Sequence, residues 1–375
     1  MSAEKTKYIE RLKLIASLSK LFSDSTRPYL YYRVAENIFS DSFNSRNVGR
    51  SDIAIDAVTN KTGVGLKTFT GHKGGSSYQK VAEFNASKPE LDEILRIGSV
   101  EDFVIKLSDM RNARIDFAIN AFELEDTIYH SVVRDVNRMS IIEEPMNKIN
   151  INNLKEIKRS DKTISFTDGL DEYRFMQSKS TLFKKFHESS PLYTFEVKIL
   201  EDPFAFLGTQ QINAEDIIAP ESEGWERVIL PLYSTQHGLE YGTVAEKSGI
   251  NQWNAGGRVR DLGEAYIPVP SWIHKKFSEF FPPRDTPFEV ELISGRKISM
   301  KICQEGGKAL MSNPNRVLGE WIFKQVLKLP QGQIVTRELL DRVGIDSVEV
   351  AKSGDSYKLA FKQTGSFEEF REVNS

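Results

Sequence analysis

Asp52 stands at the head of an apolar stretch, Ile53–Val58. Lys67 lies inside the next one, Gly63–Phe69, which carries no other charge. A lysine in such a stretch is costly to bury alone, so its ammonium calls for a partner. An acid and a lysine on adjoining strands suit phosphate-ester chemistry. A hard carboxylate oxygen can hold Mg2+, and the ammonium can stabilise charge on a phosphate or an attacking water. One aspartate is a poor magnesium site by itself. Gly65 shares the strand face of Lys67 but has no side chain. Asp56 is four residues from Asp52, about 13 Å along a strand at 3.3 Å per residue, too far to bind the same ion. Glu36, in the preceding helical stretch, can be brought to Asp52 by packing. The expectation is a catalytic set of Glu36, Asp52 and Lys67, with Asp52 and Glu36 as metal ligands and Asp56 in a lesser role.

The elements that must position these residues follow from periodicity. Between Glu4 and Phe43, apolar residues recur at Leu12, Ile15, Leu18 and Leu21, then at Val34, Ile38 and Phe39. That spacing predicts two helices, broken at Arg27-Pro28. Ile53–Val58 and Thr62–Thr70 read as a strand hairpin around Thr59-Asn60-Lys61. Gly71–Ser77 reads as a loop, Tyr78–Ala86 as a helix, and Arg114–Phe122 as a further strand. Thr163–Ser178 reads as a hairpin around Asp168-Gly169, and Tyr193–Leu200 as a strand. The order of helix, acid strand, lysine strand, polar loop and helix from Glu36 to Asn85 resembles the PD-(D/E)XK nuclease core. The resemblance implies metal-dependent cleavage of DNA. Gly65 departs from the pattern, which places an acid two residues before the lysine. Variants of the family take that acid from the neighbouring helix, a role open to Glu36.

After Trp225 the texture changes. Short apolar stretches alternate with Gly, Pro and Asn, which suggests a small barrel or sandwich with helices at Ser271–Phe280, Gly319–Leu329 and Arg337–Val343. Arg258 and Arg260 lie in a glycine-flanked loop that could bring backbone close to a ligand. Between Arg296 and Arg316 the basic residues Arg296, Lys297, Lys301, Lys308 and Arg316 face Glu305 alone. The stretch Ser248–Pro270, with Phe288–Leu292 and Cys303–Asn315, resembles the pseudobarrel DNA-binding domain of restriction enzymes of the EcoRII, BfiI and NgoFVII groups, related to the plant B-three transcription-factor domain. The resemblance spans about residues 225–370 and implies two arms gripping the major groove of double-stranded DNA. Arginine pairs with guanine edges and asparagine with adenine. On this resemblance Arg258, Arg260, Asn254, Lys308, Ser312, Asn313, Asn315 and Arg316 are the expected DNA-binding residues, the lysine and Arg316 at phosphates.

The resulting expectation is an α+β restriction-endonuclease-like core, a mixed sheet flanked by helices, over residues 1–220. A mainly β pseudobarrel follows over 221–375. The protein would be a Mg2+-dependent restriction-type endonuclease, with a non-cleaving DNA-binding protein as the alternative. A homodimer is a natural way to cut both strands. The net charge of −3 neither demands nor excludes nucleic acid. The lone Cys303 excludes an internal disulfide and a multi-cysteine zinc site. The histidines are dispersed (His72, His130, His187, His237, His274), so no histidine-metal motif is present. No apolar run approaches a membrane span, and a cytoplasmic protein is the simplest expectation.

Overall fold

Ala3–Ser17 forms helix α1 and Tyr32–Ser42 forms α2, as the apolar spacing requires, with the Arg27-Pro28 break between them. The computed structural model describes residues 2–49, 53–72, 75–209, 224–233, 243–245, 248–251, 264–330 and 333–374. The chain divides into two units, Met1–Ile119 with Leu124–Ile218, and Asn120–Glu123 with Ala219–Ser375.

Among the described residues the N-terminal unit holds two sheets. The strands of the first are β1 (Arg46–Asn47), β2 (Ala57–Thr59), β3 (Thr62–Thr70), β5 (Asp126–Asp135), β6 (Arg138–Pro145) and β11 (Tyr193–Glu196), in the order β1-β2-β3-β5-β6-β11. The β3–β5 pair is parallel and the other pairs are antiparallel. The second is antiparallel, in the order β4 (Ser76–Glu83), β10 (Thr181–His187), β9 (Glu172–Met176), β8 (Thr163–Thr167) and β7 (Lys155–Arg159). One face of the first sheet buries Val64, Leu66, Val132 and Ile141 against Tyr8, Leu12, Ile38 and Phe39 of the first two helices. The second sheet packs Ile164, Phe166, Phe175 and Leu182 against α3 (Lys88–Ile97) and α4 (Val100–Phe122).

Three expectations change here. Tyr78–Ala86 is largely strand, because β4 pairs with β10 from Ser76 to Glu83 and tertiary pairing overrides its helical propensity. Arg114–Phe122 is the end of α4, not a strand. Its buried residues continue the helical series Phe103, Leu107, Met110, Phe117 and Ala121. Residues 53–56 bend rather than extend, so the acid strand is short and begins at Ala57. The Thr62–Thr70 strand and the Asp168-Gly169 turn, with Gly169 at φ +86°, lie where the sequence indicates.

Two buried polar groups tie elements together. Lys184 on β10 is almost wholly buried, with Nζ 2.8 Å from Glu144 and 3.0 Å from Asp171. It thereby joins the two sheets. Tyr8 on α1 bonds His130 Nε2 at 3.0 Å, and His130 Nδ1 lies 2.8 Å from Glu143 Oε1.

Among the described residues the C-terminal unit carries one sheet. Its order is β12 (Glu226–Pro231), β17 (Ile345–Ser353), β18 (Ser356–Gln363), β14 (Phe288–Leu292), β15 (Lys297–Cys303), β16 (Ala309–Ser312) and β13 (Tyr266–Pro268). Only the β14–β18 pair is parallel. This sheet rolls into a nearly closed barrel, as the repeated short apolar stretches suggest. Trp321, Phe361 and Leu340 are buried in the unit. Among the described residues no helix is long and apolar enough to cross a membrane.

The His130 hydrogen bond, aided by the charges of His130 and Lys5, holds Glu143 below the usual carboxylate range against the effect of burial. A depressed folded pKa stabilises the protein above the unfolded value, near 4.3, and the contribution is lost as pH falls through the folded pKa. Glu143→Gln should therefore flatten the decline of Tm on acidification below pH ~4.3. Parallel melting curves for the two proteins from pH 5 to 3 would remove this role.

Candidate functional site

Helix α2 turns Ala35, Ile38 and Phe39 into the core and carries Glu36 in with them, only 5% exposed. A buried carboxylate needs a countercharge. Arg33, one turn back, supplies it by donating from Nη1 to Glu36 Oε2 at 2.8 Å. Gly49 closes one side of this pair. A Cβ there would stand 2.9 Å from Glu36 Oε2 and 3.3 Å from Arg33 Nη1, so any side chain would push the ion pair apart.

Asp56 is set by the strand it precedes. Its N–H donates to Val64 O at 2.8 Å, its carbonyl accepts from Val48 N–H at 2.9 Å, and its Oδ2 accepts from Leu66 N–H at 2.7 Å. The carboxylate is thus pinned beside β3. Burial raises the Glu36 pKa most, and Asp56 raises it further, while Arg33 and Lys67 lower it. Asp56, Arg33 and Lys67 thus all lie near enough to Glu36 for their charges to act on it. Lys67 is half-buried, with Nζ 5.9 Å from the Tyr129 ring centroid. Among the described residues it forms no ion pair.

Glu36 and Lys67 are thus brought together. Asp52 lies outside the described residues. Asp56, at the end of the bent segment 53–56, acts on Glu36 as well. Arg33 and Gly49 escaped the sequence reading, although an arginine three residues before a glutamate on one helix face is a legible signal. Gly65 is more than a missing acid. A Cβ there would meet Met146 Cε at 2.6 Å and Tyr129 Cδ1 at 3.0 Å, so a side chain could enter only if the Met146 tip and the Tyr129 ring gave way.

In the C-terminal unit Asn254, Arg258 and Arg260 lie outside the described residues. Lys308 is exposed just before β16, and its carbonyl accepts from Val269 N–H at 2.9 Å. All four residues of β16 are buried. Asn313 and Arg316 are exposed beyond it, and Asn315 is half-buried. Arg316 is 3.7 Å from Glu320, an exposed pair of little strength. Lys308 and Asn313 are five residues apart across a strand, about 16 Å at 3.3 Å per residue, so they would meet different parts of a DNA site. Ser312, expected at DNA, is fully buried, and its Oγ accepts from Leu318 N–H at 2.8 Å. Its hydroxyl is committed to holding the turn after β16, because an unpaired N–H there would be costly.

Residues 228–354 match the family model of the NgoFVII C-terminal B3-like DNA-binding domain. The C-terminal unit is therefore similar to the sequence-reading part of a restriction enzyme. No curated protein matches the chain.

Ser312→Ala should cost about 1–3 kcal/mol of stability and leave base preference unchanged. A changed base preference in a selection from random duplexes would return Ser312 to the DNA interface. Gly65→Asp should overpack the strand and bury a charge, destabilising by more than about 2 kcal/mol. Wild-type melting behaviour in that variant would show that the slot is open after all.

Proposed function

We propose that the protein is a magnesium-dependent restriction-type endonuclease that reads double-stranded DNA through residues 221–375 and hydrolyses it through residues 1–220. The observation that carries this reading is the match of 228–354 to a restriction-enzyme DNA-binding domain, in a chain whose other unit gathers two carboxylates and a lysine. The donor set fits magnesium. Glu36 and Asp56 are hard oxygen ligands whose mutual repulsion a cation would relieve. Among the described residues no group of three or more His, Cys, Asp or Glu could hold a metal ion. Water and phosphate oxygens would complete the shell, as is usual for Mg2+. Bound there, the ion would supply Lewis-acid polarisation of a phosphate oxygen and a more acidic water.

The protein's own groups have separable tasks. Glu36 and Asp56 would hold the ion, with Asp52 a further candidate ligand. Lys67 places its ammonium against the developing charge on the phosphate or the attacking water. In the other unit, Arg258, Arg260 and Asn254 are the proposed base readers, and Lys308, Asn313, Asn315 and Arg316 the proposed phosphate and edge contacts. Two strands require two cuts, so a homodimer on DNA is the economical assembly.

One observation favours a second reading. The filled slot at Gly65 removes the strand acid of the PD-(D/E)XK pattern, which would suit a protein that binds DNA without cutting it. Incubation of the full chain with plasmid and Mg2+ separates the two. The nuclease reading expects chelator-sensitive cleavage that Glu36→Gln, Asp56→Asn and Lys67→Met each abolish while sequence-specific binding persists. Binding without any cleavage would establish the second reading. Arg258→Ala should cost about 1–3 kcal/mol at one base position, whereas a uniform loss over all sequences would make it a phosphate contact.

A further inference from the structure

Glu36 and Arg33 form an unequal pair. The Glu36 side chain is 7% exposed and that of Arg33 is 35% exposed. The acid is fixed in the interior while the guanidinium sits at the rim, with one of its five donors on Glu36 Oε2. A divalent cation at Glu36 would neutralise the charge that holds Arg33 and would repel the guanidinium from the same oxygen. Gly49 lies against both Oε2 and Nη1, so Arg33 can leave only away from it. Beside Arg33 stand two exposed tyrosines. The Tyr32 ring centroid is 5.4 Å from Arg33 Cζ and 4.5 Å from the Tyr31 ring. Arginine and tyrosine are both common partners of DNA phosphate oxygens.

We propose that Arg33 is a phosphate-binding residue held in reserve, neutralising Glu36 in the metal-free protein and passing to a DNA phosphate when a divalent cation takes its place. The start of α2, with Tyr31 and Tyr32, is then a DNA-facing edge of the catalytic site. This inference rests on the nuclease reading and makes Arg33 a competitor of the metal rather than a support for it. The two roles predict opposite signs.

The test uses the full chain. Titrated calorimetrically with Mg2+ in the absence of DNA, Arg33→Met should bind the ion roughly 3- to 5-fold more tightly than wild type, the worth of one ion pair with a partner at the rim. Arg33→Lys keeps the charge and should stay near wild type, and a cooperative melting transition well above the assay temperature shows that both variants are folded. In a Lys67→Met background, which holds off cleavage, the salt dependence of binding to a short mixed-sequence duplex should lose about one unit of slope on Arg33→Met. That loss should appear with Mg2+ and vanish with a chelator. Weaker Mg2+ binding by Arg33→Met, or a slope change indifferent to metal, would overturn the inference and leave Arg33 as a positioning residue for Glu36. If inorganic phosphate alone shifts the Mg2+ affinity of wild type but not of Arg33→Met, the ligand is free phosphate and the DNA assignment falls. Absence of both Mg2+ binding and cleavage in wild type defeats the nuclease reading itself, a result distinct from either.

Discussion

A carboxylate removed from water must be met by positive charge, and that requirement on Glu36 organises its surroundings. Helix α2 is amphipathic, and the face that buries Ile38 and Phe39 also carries Glu36 inward. The helix answers with Arg33 one turn away, and the chain answers with Gly49, whose missing side chain lets the pair close. Asp56 works in the opposite direction. Pinned by Leu66 N–H, it raises the Glu36 pKa and so opposes Arg33. Lys67 acts in the same direction as Arg33. The two carboxylates, the arginine and the lysine are more informative together than any single residue among them.

The frame that holds this group rigid is polar as well as apolar. Lys184 of the second sheet reaches Glu144 of the first and Asp171 in the turn before β9, and its ammonium lies 4.6 Å from the Phe186 ring centroid. Tyr129 sits between these systems. Its ring packs edge-on against Phe186 and lies under Lys67, and its hydroxyl accepts from Arg111 at 2.5 Å. The ring that occupies the place beside Gly65 is thus itself fixed from several directions. Breaking such a buried network leaves uncompensated charge, so it is costly to alter piecemeal.

Local patterns were legible in the sequence where local interactions decide the outcome. The first two helices, the β3 strand, the Asp168-Gly169 turn and the succession of short C-terminal strands all follow from spacing and turn residues. Segments whose state depends on a distant partner were not legible. Ser76–Glu83 becomes a strand because residues a hundred positions later pair with it. The β5–β6 hairpin was not anticipated, since its apolar run carries no alternation to distinguish a strand buried on both faces. In the candidate site, Glu36 and Lys67 could be named from residue type, but spacing alone does not report that Asp56, at the end of a bent segment, acts on Glu36. Ser312 looked like a surface hydroxyl because nothing local reveals that Leu318 N–H needs it.

Among the described residues each sheet ends in two outer strands, and each sheet has its own answer to the same hazard. An unpaired strand edge can recruit another chain. In the first sheet the edge strands are very short, two residues in β1 and four in β11. In the second, β7 reads Lys-Glu-Ile-Lys-Arg and is mostly exposed, while β4 carries Lys80 and Glu83. At the seam of the C-terminal barrel, β12 ends in Pro231 and β13 in Pro268, neither of which can donate to an incoming strand. A protein concentrated along DNA, or crowded during synthesis, would meet copies of itself edge to edge. Brevity, charge and missing N–H groups make those encounters unproductive, and so guard the chain against aggregation at the places where its sheets are unfinished.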